Sequence, residues 1–318
     1  MTSPSTEATE ATEATGSARS ATVGFVGLGA MGLPMAASLA GAGFDVLAWN
    51  RGRPALDSAV AAGCRAAEHP GQVAATAPVV LTMLPDLPQV RDVLAGPDGL
   101  LAAPAPALHT LVVLGTVSPA GVRDLADELR PRGITVVDAP VSGGVTGARD
   151  ASLSIMAGGP ADAVERVRPY LAAMGSTVRR MGDTGAGSLA KACNQLVVAG
   201  TLVALAEAVV LGERGGVEPA ALLEVLAGGL AASEVLAQKR RRLADGDFSP
   251  SGPARYLDKD LGFVRQSAAD VRVTLPLSDT VARLYAAVTA QGLGDLDNSV
   301  VLHLLREGRG LSHPTAED

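Results

Sequence analysis

The chain has 318 residues, of which 47% are hydrophobic and 19% are charged. This composition favours one large or two ordinary globular domains and excludes a disordered or coiled-coil protein. The net charge of −7 argues against a nucleic-acid partner, because phosphate backbones bind basic surfaces. Two cysteines cannot build a disulfide framework and the four histidines are scattered, so we expect no metal site and a reducing, cytoplasmic location.

The start of the chain is polar and of low complexity, with a threefold Glu-Ala-Thr repeat. It has neither the basic start nor the apolar run of a signal peptide, and we interpret residues 1–20 as a disordered tail. The one membrane-like stretch, residues 196–211, contains Glu207 and is shorter than the roughly 20 residues that a bilayer needs. We interpret this stretch as part of a buried helix and expect no membrane partner.

Short apolar runs alternate with longer helical stretches through the first half of the chain. We predict strands at residues 23–26, 44–49, 79–84, 111–114, 134–137, 152–157 and 177–181. Apolar strands separated by helices are typical of a parallel sheet that is covered on both faces. After Asp183 the strand pattern stops and the chain becomes rich in Ala and Leu. We therefore predict an α/β domain at residues 21–182 and an all-helical domain at residues 183–318.

A long helix over about residues 187–214 is predicted to join the two domains. Its nearly continuous apolar surface suggests burial from more than one side. Exposed on a monomer, such a surface would form a larger apolar patch than soluble proteins usually tolerate. The pattern therefore favours a homodimer in which the helical domain serves both substrate binding and dimerisation.

A glycine-rich turn follows the first predicted strand. Its sequence has the spacing G-x-G-x-x-G and reads Gly27-Leu28-Gly29-Ala30-Met31-Gly32. Gly27 would allow a tight turn, Gly29 would let the backbone approach a pyrophosphate, and Gly32 would let helix and strand pack closely. Because the motif lies at a strand-to-helix turn, it indicates a Rossmann-type, doubly wound domain that binds a dinucleotide. The alternative is an ordinary glycine-rich connection.

The end of the second strand indicates which dinucleotide is bound. An NAD-binding domain usually has an acidic residue there, about 20 residues after the motif, to bond the ribose 2′-hydroxyl. This chain has Asn50, Arg51 and Arg53 instead, and two guanidinium groups could hold a 2′-phosphate. We therefore predict NADP(H) as the favoured cofactor and NAD(H) as the less favoured one. Two solvated surface arginines are the alternative.

Lys191 is the candidate acid–base group, because it is a lone lysine in an otherwise apolar helical stretch. Asn194 and Gln195 lie three and four residues further along, so all three side chains share one helix face. Burial would lower the pKa of the lysine toward neutrality, which suits the proton transfer that accompanies hydride transfer to a carbonyl. The alternative is a lysine that extends from the start of the helix into solvent.

Four segments, in order, resemble the β-hydroxyacid dehydrogenase family. This family includes 3-hydroxyisobutyrate dehydrogenase, tartronate semialdehyde reductase and the glyoxylate/succinic semialdehyde reductases. The matching segments are residues 24–35 (GFVGLGAMGLPM), 138–144 (DAPVSGG), 185–195 (GAGSLAKACNQ) and 257–261 (LDKDL). The resemblance spans about residues 22–305. It implies an NADP-dependent oxidoreductase that interconverts a small hydroxy acid and its semialdehyde or keto acid.

The resemblance also implies roles for individual residues. Lys191 would be the general acid and base, Asn194 would orient the substrate, and Ser142 would hold the substrate carboxylate together with backbone amides. The implied substrate-binding residues are Ser142, Gly143, Gly144, Lys191, Asn194 and Gln195. Beyond the glycine motif and the residues after the second strand, the implied cofactor-binding residues are Leu84, Pro85, Gln89, Thr116 and Lys259.

The chain departs from the family pattern near the expected site. The family often has Ser where this chain has Gly115, and Asn where this chain has Gln195. The identity of the substrate therefore stays open. Cys193 lies about 200° around the helix from Lys191 and is interpreted as a packing residue.

Two other functions compete: imine reduction on the same scaffold, and a catalytically silent dinucleotide-binding module. Imine reductases of similar architecture typically carry Asp or Tyr in place of the lysine, and retention of Lys191 and Asn194 argues against a silent module.

Overall fold

The computed structural model of the protein describes residues 22–103 and 106–308. The predicted tail at residues 1–20 lies outside the described residues. Within these ranges, one sheet contains nine strands. The strands are β1 (Val23–Val26), β2 (Val46–Trp49), β3 (Arg65–Ala66), β4 (Val79–Thr82), β5 (Thr110–Val113), β6 (Thr135–Asp138), β7 (Val141–Ser142), β8 (Ser154–Gly158) and β9 (Thr177–Gly182).

The sheet has the order β3-β2-β1-β4-β5-β6-β8-β7, with β9 paired to β8. Strands β1 to β6 pair in parallel, whereas β8 runs antiparallel to β6 and β7. The connections reverse direction between β1 and β4, and ligands of such sheets bind outside the carboxyl ends of the strands at this point. The predicted Rossmann-type, mostly parallel sheet is confirmed.

Helices cover both faces of the sheet. They are α1 (Gly32–Gly41), α2 (Arg53–Ala61), α3 (Pro70–Thr76), α4 (Leu87–Ala95), α5 (Pro119–Leu129), α6 (Gly144–Arg149) and α7 (Ala161–Ala172). Successive residues of β1 enter opposite cores: Phe25 packs in one apolar cluster and Val26 in the other. Because helices cover both faces, the central strands β1, β4 and β5 are buried at every position, as expected for a parallel sheet of this kind.

Only helices follow β9 in the described chain. They are α8 (Ala186–Arg214), α9 (Pro219–Ala227), α10 (Glu234–Asp245), α11 (Ala254–Asp270), α12 (Pro276–Ala290) and α13 (Val301–Arg306). We call these helices the helical domain and the part up to β9 the sheet domain. A separate apolar core, which includes Leu202 and Tyr285, holds the helical domain together.

Helix α8 is long and apolar enough to cross a membrane by length and composition, and no other helix among the described residues is. In the fold, α8 packs against α10, α11 and α13, and its start also packs against β8. It ends at Arg214, as predicted, with Gly215 as its C-cap. The long helix is therefore the central element of the helical domain, and its first turns contact the sheet.

Candidate functional site

The glycine-rich turn connects β1 to α1 at the carboxyl edge of the sheet. Gly27 has a φ of +97°, and a Cβ at this position would lie 2.6 Å from the carbonyl oxygen of Met83. A Cβ on Gly32 would overlap the carbonyl oxygen of Gly27. Close packing within the protein therefore requires both of these glycines.

Gly29 differs from the other two glycines, because a Cβ there would meet nothing within 4 Å. Open space thus lies in front of the backbone where α1 begins. Backbone N–H groups at the start of a helix favour an anionic group, and a glycine lets that group come close. The residues of this turn therefore fit the pyrophosphate of a dinucleotide.

Asn50, at the end of β2, holds the glycine-rich turn in place. Its Oδ1 accepts a hydrogen bond from the backbone N–H of Leu28 at 2.9 Å, and its Nδ2 donates to the carbonyl of Gly52 at 2.9 Å. The nearby Arg53 forms an exposed ion pair with Asp57 at 2.8 Å. Arg51 is exposed and has no ion-pair partner among the described residues, so its guanidinium is the one free to meet a ligand.

The segments after β4 and β5 pack together beside the glycine-rich turn. A Cβ on Gly115 would overlap the carbonyl oxygen of Leu84, so this position has no room for the serine that the family often has. Pro85 follows in the same connection, and Gln89 is exposed in the first turn of α4. The predicted cofactor-binding residues after these strands thus lie along one edge of the sheet.

Lys191 lies near the start of α8 and is 7% exposed. Its Nζ donates a hydrogen bond to Oδ1 of Asn194 at 3.2 Å. Burial lowers the pKa of Lys191 to about 8, while the carboxylate of Asp260 opposes this shift and the ammonium of Lys259 adds to it. The amine can therefore gain or lose a proton close to neutral pH, and its burial excludes the alternative in which it extends into solvent.

A buried carboxylate connects the helix that carries this lysine to the sheet domain. Asp260 on α11 is 3% exposed, and its oxygens accept hydrogen bonds from Nε2 of Gln195 at 2.7 Å and from Nζ of Lys259 at 2.8 Å. Lys259 also donates to the carbonyl oxygen of Thr116 at 2.7 Å, in the connection after β5. Burial raises the pKa of Asp260, and the adjacent Lys259 opposes that shift. A hydrogen-bonded chain therefore runs from α8 through α11 to the edge of the sheet.

The sequence did not predict a role for Asp260, although a signal was present. In α11 the buried positions include Leu257, Leu261 and Val264, and Asp260 occupies the same helical face. A carboxylate on an apolar helix face needs a partner, which the adjacent lysine could have indicated. Gln195, predicted to bind substrate, uses its amide nitrogen within the protein instead, and its contact with substrate stays a prediction.

The segment from Ser142 to Gly144 faces the helical domain. Gly143 and Gly144 have φ values of +133° and +66°, which turn the chain from β7 into α6. A Cβ on Gly144 would lie 3.6 Å from Oε1 of Gln238 on α10. The predicted substrate-binding segment thus lies next to the helical domain. On the opposite side of α8 from Lys191, Cys193 is exposed, so its interpretation as a packing residue within the chain is wrong.

Two family models together match most of the described chain. Residues 22–182 match the NAD binding domain of 6-phosphogluconate dehydrogenase. Residues 185–305 match the NAD-binding domain of NADP-dependent 3-hydroxyisobutyrate dehydrogenase. The boundary between the two matches coincides with the change from sheet to helices.

Curated relatives and solved structures match over most of their length. The 2-hydroxy-3-oxopropionate reductase of Escherichia coli is 34% identical, over 87% of this chain and 94% of the relative. The NAD-dependent L-serine dehydrogenase of Pseudomonas aeruginosa is 36% identical, over 89% of this chain and 97% of the relative. The structure of Mycobacterium tuberculosis 3-hydroxyisobutyrate dehydrogenase with L-serine has a TM-score of 0.78 and 35% identity, and the match covers 90% of this chain and 99% of that one.

The doubly wound sheet, the open backbone at Gly29 and the helical domain define a two-domain protein that uses a nicotinamide dinucleotide. Within this class, the chain belongs to the β-hydroxyacid dehydrogenase family. The resemblance that the four sequence segments indicated is thereby confirmed.

Proposed function

We propose that the protein is an NADP(H)-dependent oxidoreductase that interconverts a small hydroxy acid and its semialdehyde or keto acid. The observation that carries the proposal is the buried amine of Lys191, hydrogen-bonded to Asn194 on a helix whose start contacts the sheet. The names of the relatives, which include a hydroxy-oxo acid reductase and a 3-hydroxyisobutyrate dehydrogenase, support this class of substrate.

When bound, the nicotinamide supplies the hydride for reduction of the carbonyl carbon or accepts it in the reverse direction. Protonated Lys191 donates a proton from Nζ to the carbonyl oxygen, and neutral Lys191 takes the proton from the hydroxyl group in oxidation. Asn194 accepts from the lysine through Oδ1, which leaves its Nδ2 group to donate to a substrate oxygen. Ser142 and the backbone N–H groups of Gly143 and Gly144 hold the substrate carboxylate.

The proposed preference for NADP(H) depends on the end of β2. Residues 50–53 include no acidic residue that could bond the ribose 2′-hydroxyl of NAD. The exposed guanidinium of Arg51 is available for a 2′-phosphate. We expect the nicotinamide half to lie beside Thr116 and Lys259, and the hydrogen bond from Nζ of Lys259 to the carbonyl oxygen of Thr116 supports a shared role for them. A cytoplasmic location stays a prediction.

We also infer a homodimer that forms through the outer face of α8. Val197 is 65% exposed and Leu211 is 76% exposed, and Leu189 and Cys193 continue the same face toward the start of the helix. Leu277 of α12 is exposed beside this face, where it packs near Gly200. A second copy of the chain would remove this apolar surface from water.

The proposal is tested by NADPH oxidation with the full-length protein. The substrates are glyoxylate, succinic semialdehyde, methylmalonate semialdehyde, tartronate semialdehyde and a set of cyclic imines. We expect turnover of at least one semialdehyde or keto acid, and Lys191→Ala should lower kcat by about 10²- to 10⁴-fold, the usual scale of acid–base catalysis. NADPH affinity should stay within a few-fold, and Lys191→Arg should restore little because its guanidinium does not deprotonate.

The matched control is Cys193→Ser, which changes an exposed residue on the opposite side of α8 and should leave kcat unchanged. Turnover of imines alone would contradict the proposed reaction. A Lys191→Ala protein that keeps the kcat of the unchanged enzyme would contradict the proposed role of the lysine.

A further inference from the structure

The N-terminus of helix α8 is not capped by a side chain from the helix or from its N-cap residue. Its N-cap residue is Gly185, with a φ of +92°, and no local side chain bonds the free N–H groups of the first turn. These groups instead meet Asp138, 47 residues earlier in the chain at the end of β6. The two carboxylate oxygens accept from the N–H of Gly185 at 2.7 Å and from the N–H of Ser188 at 2.6 Å.

Asp138 is completely buried at this contact. Burial raises the pKa of Asp138 to about 6, although the two backbone hydrogen bonds oppose this shift. The positive end of the helix dipole and the two donors offset only part of the cost of removing the carboxylate from water. Both oxygens of a buried acid are thus committed to the first turn of the helix that carries Lys191.

The helix and the sheet meet here without intervening side chains. A Cβ on Gly187 would overlap the carbonyl oxygen of Met156 and lie 2.6 Å from the carbonyl oxygen of Asp138. A Cβ on Gly158, the residue that pairs with Asp138 between β6 and β8, would lie 2.5 Å from Oδ1 of Asp138. Backbone therefore contacts backbone on both sides, and the first turn of α8 lies directly against β6 and β8.

Asp138 also begins the segment that leads to the proposed carboxylate-binding residues. Ser142 follows four residues later, at the end of β7. Lys191 lies three residues after Ser188, about one helical turn along α8. One carboxylate therefore connects the part of the chain that would hold the substrate acid to the helix that would supply the proton.

We propose that Asp138 is a positioning residue for catalysis, which holds Lys191 at the productive distance from a substrate bound at residues 142–144. The proposal rests on the proposed function of Lys191. Asp138 acts through the backbone of α8, whereas the charged groups that act on the pKa of Lys191 are Asp260 and Lys259. A misplacement of about 1 Å can lower a catalytic rate by about 10²-fold, so loss of this contact should reduce turnover strongly.

The test uses Asp138→Asn in the full-length enzyme. Asparagine has the same shape but has only one acceptor oxygen, so it can bond only one of the two N–H groups. We expect kcat to fall by about 10- to 100-fold, while KM for the aldehyde and Kd for NADPH stay within about 3-fold. Active sites are counted by NADPH binding, so that unfolded protein does not lower the measured kcat.

The control is Glu218→Gln, because Glu218 also caps a helix through two backbone N–H groups, at 2.9 and 2.7 Å, at the start of α9. We expect its kcat to stay within 2-fold of the unchanged enzyme. Should Asp138→Asn fail to fold, Asp138→Ser, whose smaller side chain also offers a single acceptor oxygen to the two N–H groups, should lower kcat in the same way.

A double-mutant cycle distinguishes positioning of Lys191 from any other effect. If Asp138 acts through the lysine, Asp138→Asn should change the residual kcat of Lys191→Ala by less than about 3-fold. An equal loss of kcat in both backgrounds would overturn the proposal, as would a kcat of Asp138→Asn within 2-fold of the unchanged enzyme. Failure of the proposed function gives a separate result, in which Lys191→Ala alone keeps full kcat.

Discussion

Lys191 and Asp260 illustrate how buried charged groups are accommodated in this protein. An isolated buried charge is strongly unfavourable unless it is paired or hydrogen-bonded. Asp260 receives hydrogen bonds from Gln195 and Lys259, while the amine of Lys191 has Asn194 as its acceptor. Burial and the opposing carboxylate together leave the lysine with a pKa of about 8, which is suitable for proton transfer in both directions.

The first prediction is a pH dependence of opposite sign in the two directions. In the proposed reaction, reduction requires protonated Lys191, so kcat for reduction should fall as the pH rises above about 8. Oxidation requires the neutral amine, so its kcat should fall as the pH drops below about 8. Asp260→Asn removes the negative charge that raises the pKa of Lys191, and both limbs should move to lower pH. Limbs that stay in place in pH–rate profiles of this variant would contradict the assignment.

The second prediction concerns the cofactor. Arg51→Ala should weaken NADPH binding by about 10- to 100-fold, the range expected for loss of a hydrogen bond to a charged group, and should leave NADH binding nearly unchanged. Arg53→Ala is the comparison, since its guanidinium already pairs with Asp57, and a smaller loss is expected. Fluorescence titration of the unchanged protein and both variants with NADPH and NADH measures all six affinities. Equal affinity of the unchanged protein for NADPH and NADH would refute the preference.

Residue identity and local spacing predicted some of the residues of the candidate site, but not the contacts between segments that are distant in the sequence. The positions of Lys191 and Asn194 on one face follow from helical periodicity alone. The bond between Asn50 and the N–H of Leu28 depends on β1 and β2 lying side by side, which no local pattern contains. A side chain at position 115 would overlap the carbonyl oxygen of Leu84, and this likewise depends on how the connections after β4 and β5 pack together.

At the level of elements, local signals were again the predictable ones. The bounds of α8 followed from an apolar stretch that ends at a pair of glycines. The group that caps the N-terminus of α8 could not be predicted in this way. It is the carboxylate of Asp138, which lies on another element, 47 residues before the N-cap Gly185. Strands β3 and β7 were missed because two residues are too few to show an alternating pattern.

The third prediction separates the two kinds of glycine in the turn between β1 and α1. Gly29→Ala should weaken NADPH binding at least about 10-fold and leave Tm of the ligand-free protein unchanged, because the added methyl group meets only the open space that a pyrophosphate would occupy. Gly32→Ala should lower Tm, because its methyl group would overlap the Gly27 carbonyl. Thermal unfolding and NADPH titration measure the two effects. Normal NADPH binding by Gly29→Ala would show that the dinucleotide lies elsewhere.

At the scale of the whole molecule, the candidate site requires both domains. The glycine-rich turn and the connection at Thr116 belong to the sheet domain, whereas Lys191 and Asp260 belong to the helical domain. The hydrogen bond from Lys259 to Thr116 joins the two sides directly. Because the proposed proton donor and the proposed cofactor-binding edge lie on different domains, the contacts between the domains set their separation. The inner side of α8 serves this purpose, and its outer side remains apolar and exposed.

The last prediction is that this outer side forms the interface of a homodimer. Light scattering at micromolar concentration should give about twice the chain mass of 31.9 kDa. Val197→Asp places a charge in the middle of the exposed face of α8 and should shift the protein to monomer, because an unpaired carboxylate would be buried in the interface. Val60→Asp, at another exposed valine, on α2 of the sheet domain, should leave the dimer intact. A monomeric mass for the unchanged protein would show that the apolar face of α8 has another occupant or none.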